Sequence, residues 1–267
     1  MNNTFNFKRF GLLMKRQWLE FGKIYLISLG IVAGVIIASY GLYYFRFIEN
    51  EGMKNVLVPD LRVVLFFILG TLFLTIAANT QFSQLGQKSK LIVDLMVPAS
   101  TLEKFLTGLF FSVILAFLSY LLVFCLIDFA LVSELKNTSH SEALQMNDAG
   151  QLVMGKYNPA YFFEKNSNMI IQIASVPILI SSLFFLGSVY FTKHQYVKTM
   201  ISLMVFSGLW ITFTAYTNKY IFHDKVISGD FKWIVYIHKT EWWIALYIVL
   251  SVFFWAITYV RLREKEG

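Results

Sequence analysis

Cysteine is nearly absent from this chain of 267 residues, histidine is sparse, and only 15% of positions are charged. Cys125 has no second cysteine to pair with, so neither an intrachain disulfide nor a cysteine-based metal site can form. It is expected to serve as a small buried apolar residue. His140, His194, His223 and His238 are scattered, and none stands in a His-Glu-x-x-His pair, which removes the helical ligand pair of a zinc hydrolase. No Gly-x-x-x-x-Gly-Lys-Ser/Thr run is present, since Gly22-Lys23 is followed by Ile24, so this chain does not cradle a nucleotide by that loop. No Ser–His or Cys–His set can be drawn from spacing. The reading is of a chain with no catalytic, cofactor-binding or metal-ligating set of its own.

What the chain has in excess is apolar sequence, at 57% of residues. Six runs stand out: Ile24 to Phe45, Val63 to Thr80, Thr107 to Ile127, Met169 to Thr192, Val197 to Tyr216 and Trp242 to Val260. A hydrocarbon core of about 30 Å takes roughly 20 helical residues to cross, and each run meets or nearly meets that length. Barrel strands need about 10 residues of alternating polarity, whereas these runs are apolar on every side. Lipid offers backbone groups no partners, so each segment must bond to itself as a helix. The expected fold class is an all-α polytopic membrane protein, with six transmembrane helices preceded by an interfacial amphipathic helix. No internal repeat, low-complexity tract or linker marks off a soluble domain, so residues 1–267 are expected to form one membrane domain. No small-residue cleavage site follows the first apolar run, so that span is expected to be retained.

A net charge of +7 could suggest nucleic acid, but the basic residues are scattered along segments that flank the apolar runs. Topology accounts for them better. The segments on the side of the two chain ends hold more Lys and Arg than the others, so both termini are expected in the cytoplasm. Residues 5–23 are helical by pattern. Phe7, Phe10, Met14, Trp18 and Phe21 gather on one face, while Lys8, Arg9, Lys15, Arg16 and Lys23 lie nearly opposite and Leu12 is the exception. That pattern suits a helix lying among headgroups, with Lys8, Arg9, Lys15, Arg16 and Trp18 as its membrane-interface residues. A basic tail serving only as a topology signal is the plainer alternative.

Gly30, Gly34, Ala38 and Gly41 give the first span a stripe of small residues for close packing. Pro177 in the fourth span, with Ser175, Ser181, Ser182, Gly187 and Ser188 around it, predicts a kink whose freed carbonyl is met by hydroxyls or neighbouring helices. Lys193 to Tyr196 is too short for anything but an antiparallel hairpin between the fourth and fifth spans. The longest connection, Glu134 to Asn168, has room for a short helix or a lid. Trp233, Trp242, Trp243 and Tyr259 suit interfacial belts. Asp128 is the one acid within an apolar stretch; it is a possible functional acid by that placement, or a residue near enough to the interface to reach headgroups.

The connection between the second and third spans is the most informative. Leu91, Ile92 and Leu95 set against Lys88, Lys90 and Asp94 suit a short surface helix, Pro98 disfavours helix at Val97, and Ser100 with Glu103 forms a capping-box pattern that starts a new helix. An ordinary loop is the alternative to a rigid knob here. The stretch Leu95-Met96-Val97-Pro98-Ala99-Ser100-Thr101-Leu102-Glu103-Lys104-Phe105-Leu106 resembles the Leu-Pro-Ala-Ser-x-x-Glu-Lys-Phe segment of bacterial type-2 ATP-binding-cassette (ABC) exporter permeases, with Val97 where leucine is more frequent. The basic amphipathic start, the six spans and the missing nucleotide motif agree with it along the chain. The resemblance implies a permease subunit that works by alternating access, paired with a second permease chain, the same or different, in a lipid membrane. It implies a cytoplasmic ABC ATPase partner that binds the ATP and Mg. Leu91, Asp94, Leu95, Pro98 and Glu103 would then contact or position the ATPase-coupling helix. A non-transporting membrane subunit that passes force to an envelope assembly or a sensing partner is the other reading.

Overall fold

The computed structural model describes residues 5–49, 58–82, 96–97, 99–138, 142–146, 152–156, 161–165, 167–221 and 240–266. The elements run α1 (Phe7–Glu49), α2 (Val58–Gln81), α3 (Thr101–Leu109), a π-helical turn (Phe110–Leu115), α4 (Ala116–Thr138), β1 (Glu142–Met146), β2 (Leu152–Lys156), α5 (Phe162–Lys165), α6 (Ser167–Tyr190), α7 (Gln195–Ile221) and α8 (Thr240–Glu266). Helix dominates because the apolar runs carry almost no residue that could satisfy a neighbour's backbone, so each chain segment closes its own hydrogen bonds.

Among the described residues, five stretches are long and apolar enough to cross a membrane: Phe7–Leu42, Arg62–Gln81, Thr101–Glu134, Gln195–Phe213 and Trp243–Lys265. The apolar part of α6 among the described residues, Ala174–Tyr190, is shorter, although the helix itself runs for 24 residues. These rods fit a multi-pass membrane protein. Their end contacts fix an alternating course. Gln17 of α1 bonds Gln81 of α2, Phe82 meets the ring of Phe185 in α6, and Phe105 of α3 meets Tyr259 of α8. The start of α1 and the end of α8 therefore lie at one end of the bundle, termed here the proximal end.

One departure from the sequence reading concerns α1. The segment expected to lie apart as an interfacial helix is continuous with the first span, in one helix of 43 residues. At about 1.5 Å per residue such a rod is roughly 65 Å long, about twice the hydrocarbon thickness, so a large part of it lies outside at any ordinary tilt. The hairpin between α6 and α7 forms, with His194 of the turn at φ 52°. Only the first turns of α7 pack, however: Gln195 and Thr199 are buried, while every residue from Met204 to Phe213 is exposed.

Two aromatic-rich cores fill the bundle. The distal one joins Ile36, Tyr40, Phe66, Phe73, Tyr120, Phe124 and Phe162; the proximal one joins Ala78, Phe82, Phe184, Phe185, Val189 and Leu262. Helix α6 is the central rod, packed along α2 and α8. Its serines allow that approach: Ser181, Ser182 and Ser188 are fully buried, and each hydroxyl donates to the carbonyl three residues earlier, at Ile178, Leu179 and Phe185. The hydroxyls near Pro177 thus include two that serve the turn after the proline. In the long connection, β1 and β2 pair antiparallel with Glu142 opposite Lys156 and Met146 opposite Leu152, and the short α5 follows.

Candidate functional site: two buried carboxylates on one rod

Helices α3 and α4 are joined through the π-helical turn into a single rod, and each end of it carries a buried acid. At the proximal end Ser100 caps α3. Its hydroxyl accepts from the Glu103 amide at 3.2 Å, while the Glu103 carboxylate accepts from the Ser100 amide at 2.9 Å. This is the capping box expected from the sequence, and such a cap stabilises a helix start by about 1 kcal/mol. Glu103 does more than cap. It is fully buried, and its other oxygen accepts from the Asn6 amide at 2.7 Å and from the Arg9 guanidinium at 3.0 Å. Two backbone amides and one cation converge on a single carboxylate, so the start of α1 is pinned to the start of α3.

At the distal end Asp128, 3% exposed, holds three donors. Tyr40 of α1 donates its hydroxyl at 3.0 Å, Arg62 at the start of the α2 apolar run forms an ion pair with it, and the Phe162 amide of α5 donates at 2.9 Å. The Arg62 guanidinium also lies 5.8 Å from the Phe162 ring centre. Asp128 is therefore turned into the protein, where it ties α1, α2 and the long connection together. A charge with this many partners costs little to bury, whereas the same acid without them would be expensive.

These two acids stand 25 positions apart along the rod, roughly 35 Å at about 1.5 Å per residue, close to the thickness of a hydrocarbon core. The π-helical turn sits between them. Its last carbonyl, at Leu115, accepts from the Tyr25 hydroxyl at 3.1 Å, and Tyr25 is also bonded to Ser119. Ser112, within the turn, is fully buried and its hydroxyl has no hydrogen-bond partner. Such turns are wide inserts in an α-helix and mark places where a rod can be distorted at low cost.

The residues expected at the membrane interface separate into two groups. Lys8, Lys15 and Trp18 are exposed, whereas Arg9 and Arg16 are half-buried; Arg9 pairs with Glu103 and Arg16 with Glu20 at 3.0 Å. Trp18 stacks on Phe111 of the π-helical turn with ring centres 6.4 Å apart. Of the expected coupling residues, Leu91, Asp94, Leu95 and Pro98 lie outside the described residues, and Glu103 is at the hub just described. Trp233, His140, His223 and His238 also lie outside them. Among the described residues no group of His, Cys, Asp and Glu could hold a metal ion. Sequence reasoning missed Tyr25, Tyr40 and Arg62. Arg62 had a signal, since a cation at the very start of one apolar run and an acid at the end of the next lie at one membrane depth when the spans alternate.

No protein-family model, curated protein or solved structure matches this chain.

Proposed function

We propose that this chain is the membrane-spanning permease subunit of an ATP-driven exporter, moving its substrate by alternating access as a separate cytoplasmic ATPase opens and closes. One observation carries the reading. The Pro-Ala-Ser-x-x-Glu stretch, which resembles the segment after the coupling helix of type-2 ABC permeases, ends in a glutamate bonded to the Asn6 amide and to Arg9 at the head of α1. A push delivered just before Ser100 would reach α1 and the α3–α4 rod together, because the acid they share is buried and fully engaged.

In this reading the proximal end faces the cytoplasm, a second permease chain completes the pathway, and ATP and Mg stay with the partner. Force transmitted into the rod would meet the π-helical turn first, which is the segment best able to change its hydrogen bonding.

The test is copurification. Leu91→Glu with Leu95→Glu is expected to abolish recovery of an ATPase subunit from membranes while leaving insertion and yield of this chain intact. Unchanged recovery of the complex would sink the assignment. Reconstituted with its partner, the complex is expected to show nucleotide-dependent flux in liposomes, and hydrolysis without flux would favour the non-transporting subunit.

A further inference from the structure

Between the two hubs the α3–α4 rod carries one residue more than a plain α-helix needs. The hydrogen bonds of a π turn reach one position further than those of an α-helix, so the turn stores a single surplus residue. Glu103 holds the rod on one side through the Ser100 and Asn6 amides, and Asp128 holds it on the other through Tyr40 and the Phe162 amide. Expelling the surplus would turn one hub by about 100° against the other. The surplus can therefore travel along the rod but cannot leave it. Thr107 and Ser119, on either side of the turn, donate their hydroxyls to the Glu103 and Ala116 carbonyls at 2.8 and 3.1 Å. Ser112, inside the turn, is fully buried and its hydroxyl has no partner. Regular α-helix at that position would offer it the Gly108 carbonyl.

From this geometry we propose that the π turn is a movable bulge, shifting between Phe110–Leu115 and a position about one turn nearer Asp128. The shift gives Ser112 its missing bond. Tyr25 is placed for both positions: its hydroxyl donates to the Leu115 carbonyl at 3.1 Å and is also bonded to the Ser119 hydroxyl, one turn further on. Two close approaches bound the travel. Gly108 faces Phe82 and Phe185, which a Cβ there would meet at 3.0 and 3.3 Å. Tyr120 lies 2.8 Å from where a Cβ on Gly70 would stand, and it donates to the Phe66 carbonyl at 2.8 Å. Each residue that the bulge passes turns by about 100°, so the middle of the rod changes the face it presents while both hubs stay bonded. The inference rests on the helix geometry and not on the exporter reading.

Hydrogen exchange of the purified full chain in mixed micelles, followed by mass spectrometry, tests it. Amides of 110–118 are expected to exchange faster than those of 121–127. Ser112→Ala removes what the shifted position gains, and is expected to slow exchange over 110–118 roughly tenfold, equivalent to about 1.4 kcal/mol, with 121–127 unchanged. Deleting Ser112 removes the surplus residue. That chain is expected to fold with an undiminished thermal midpoint and with 110–118 exchanging as slowly as 121–127. Deleting Leu72 from α2, an α-helix without a π turn, is expected to lower the midpoint. Equal slowing of both segments by Ser112→Ala, or no slowing, would overturn the movable bulge. So would a Ser112 deletion as damaging as the Leu72 deletion, including one that fails to fold. None of these measurements involves the ATPase, so failed copurification leaves them untouched.

Discussion

The hydroxyl of Tyr25 in α1 donates to the carbonyl of Leu115, the last residue of the π-helical turn, at 3.1 Å. A π turn spaces its hydrogen bonds one residue wider than an α-helix and leaves a carbonyl in need of a donor. In lipid no water can supply one. Tyr25→Phe keeps the ring but removes the donor, and is expected to cost about 1–3 kcal/mol in reversible unfolding from mixed micelles. An unchanged unfolding midpoint would mean the turn is satisfied without Tyr25.

Arg9 and Glu103 should behave as a coupled pair. Arg9→Met is expected to cost about 1–3 kcal/mol, the lower figures reflecting its partial exposure, and Glu103→Met about 3–5 kcal/mol because it also strands the Asn6 and Ser100 amides. A double-mutant cycle should give a coupling above about 0.5 kcal/mol. Additive effects would show that the cap, and not the link to α1, accounts for the loss.

At the distal end the same logic applies to Asp128. Asp128→Asn with Arg62 left in place is expected to destabilise the bundle by about 3–5 kcal/mol, since a half-buried guanidinium loses its ion pair with Asp128. Replacing both, with Arg62→Met and Asp128→Asn, should cost less than the sum of the two single changes. Chemical unfolding of the three variants against wild type decides between the two patterns.

Gly187 in α6 permits the approach of α7. A Cβ placed there would lie 2.0 Å from the Thr199 Oγ1 and 2.8 Å from its Cγ2. Gly187→Ala is therefore expected to cost about 1–3 kcal/mol by overpacking, with partial rescue by Thr199→Ala. The readout is the thermal midpoint in detergent, and a neutral Gly187→Ala would show that α7 sits less tightly than its first turns suggest.

The turn between those helices places His194 in the left-handed region, at φ 52°. That conformation costs an L-residue about 1–2 kcal/mol. Glycine relieves the strain but widens the unfolded ensemble by about 0.5–1 kcal/mol. His194→Gly is expected to be neutral or stabilising by up to about 1 kcal/mol, and His194→Val, β-branched, to lower stability by about 1–2 kcal/mol. Thermal unfolding that ranks valine above glycine would contradict the turn geometry.

Several particulars were legible in advance for a physical reason. Ser100 and Glu103 are three residues apart, and a capping box needs nothing beyond that spacing and a following helix. Pro177 lies within α6 as expected, because helices held by lipid tolerate a missing donor. The continuity of α1 was not legible. Its apolar and basic faces suited a helix lying flat, but Arg9 turns toward the protein instead, and only the position of Glu103 on another helix makes that favourable.

Composition and periodicity alone determined that these apolar rods are helices long enough to cross a thickness of about 30 Å, because that outcome depends on hydrogen bonds within each segment and on the solvent around it. Which charges are buried, and with whom, was decided by the tertiary structure. Arg62, Tyr40 and the Phe162 amide are distant from Asp128 in the chain, as are Asn6 and Arg9 from Glu103, and a buried carboxylate becomes stable only when packing delivers such donors from several helices to one point.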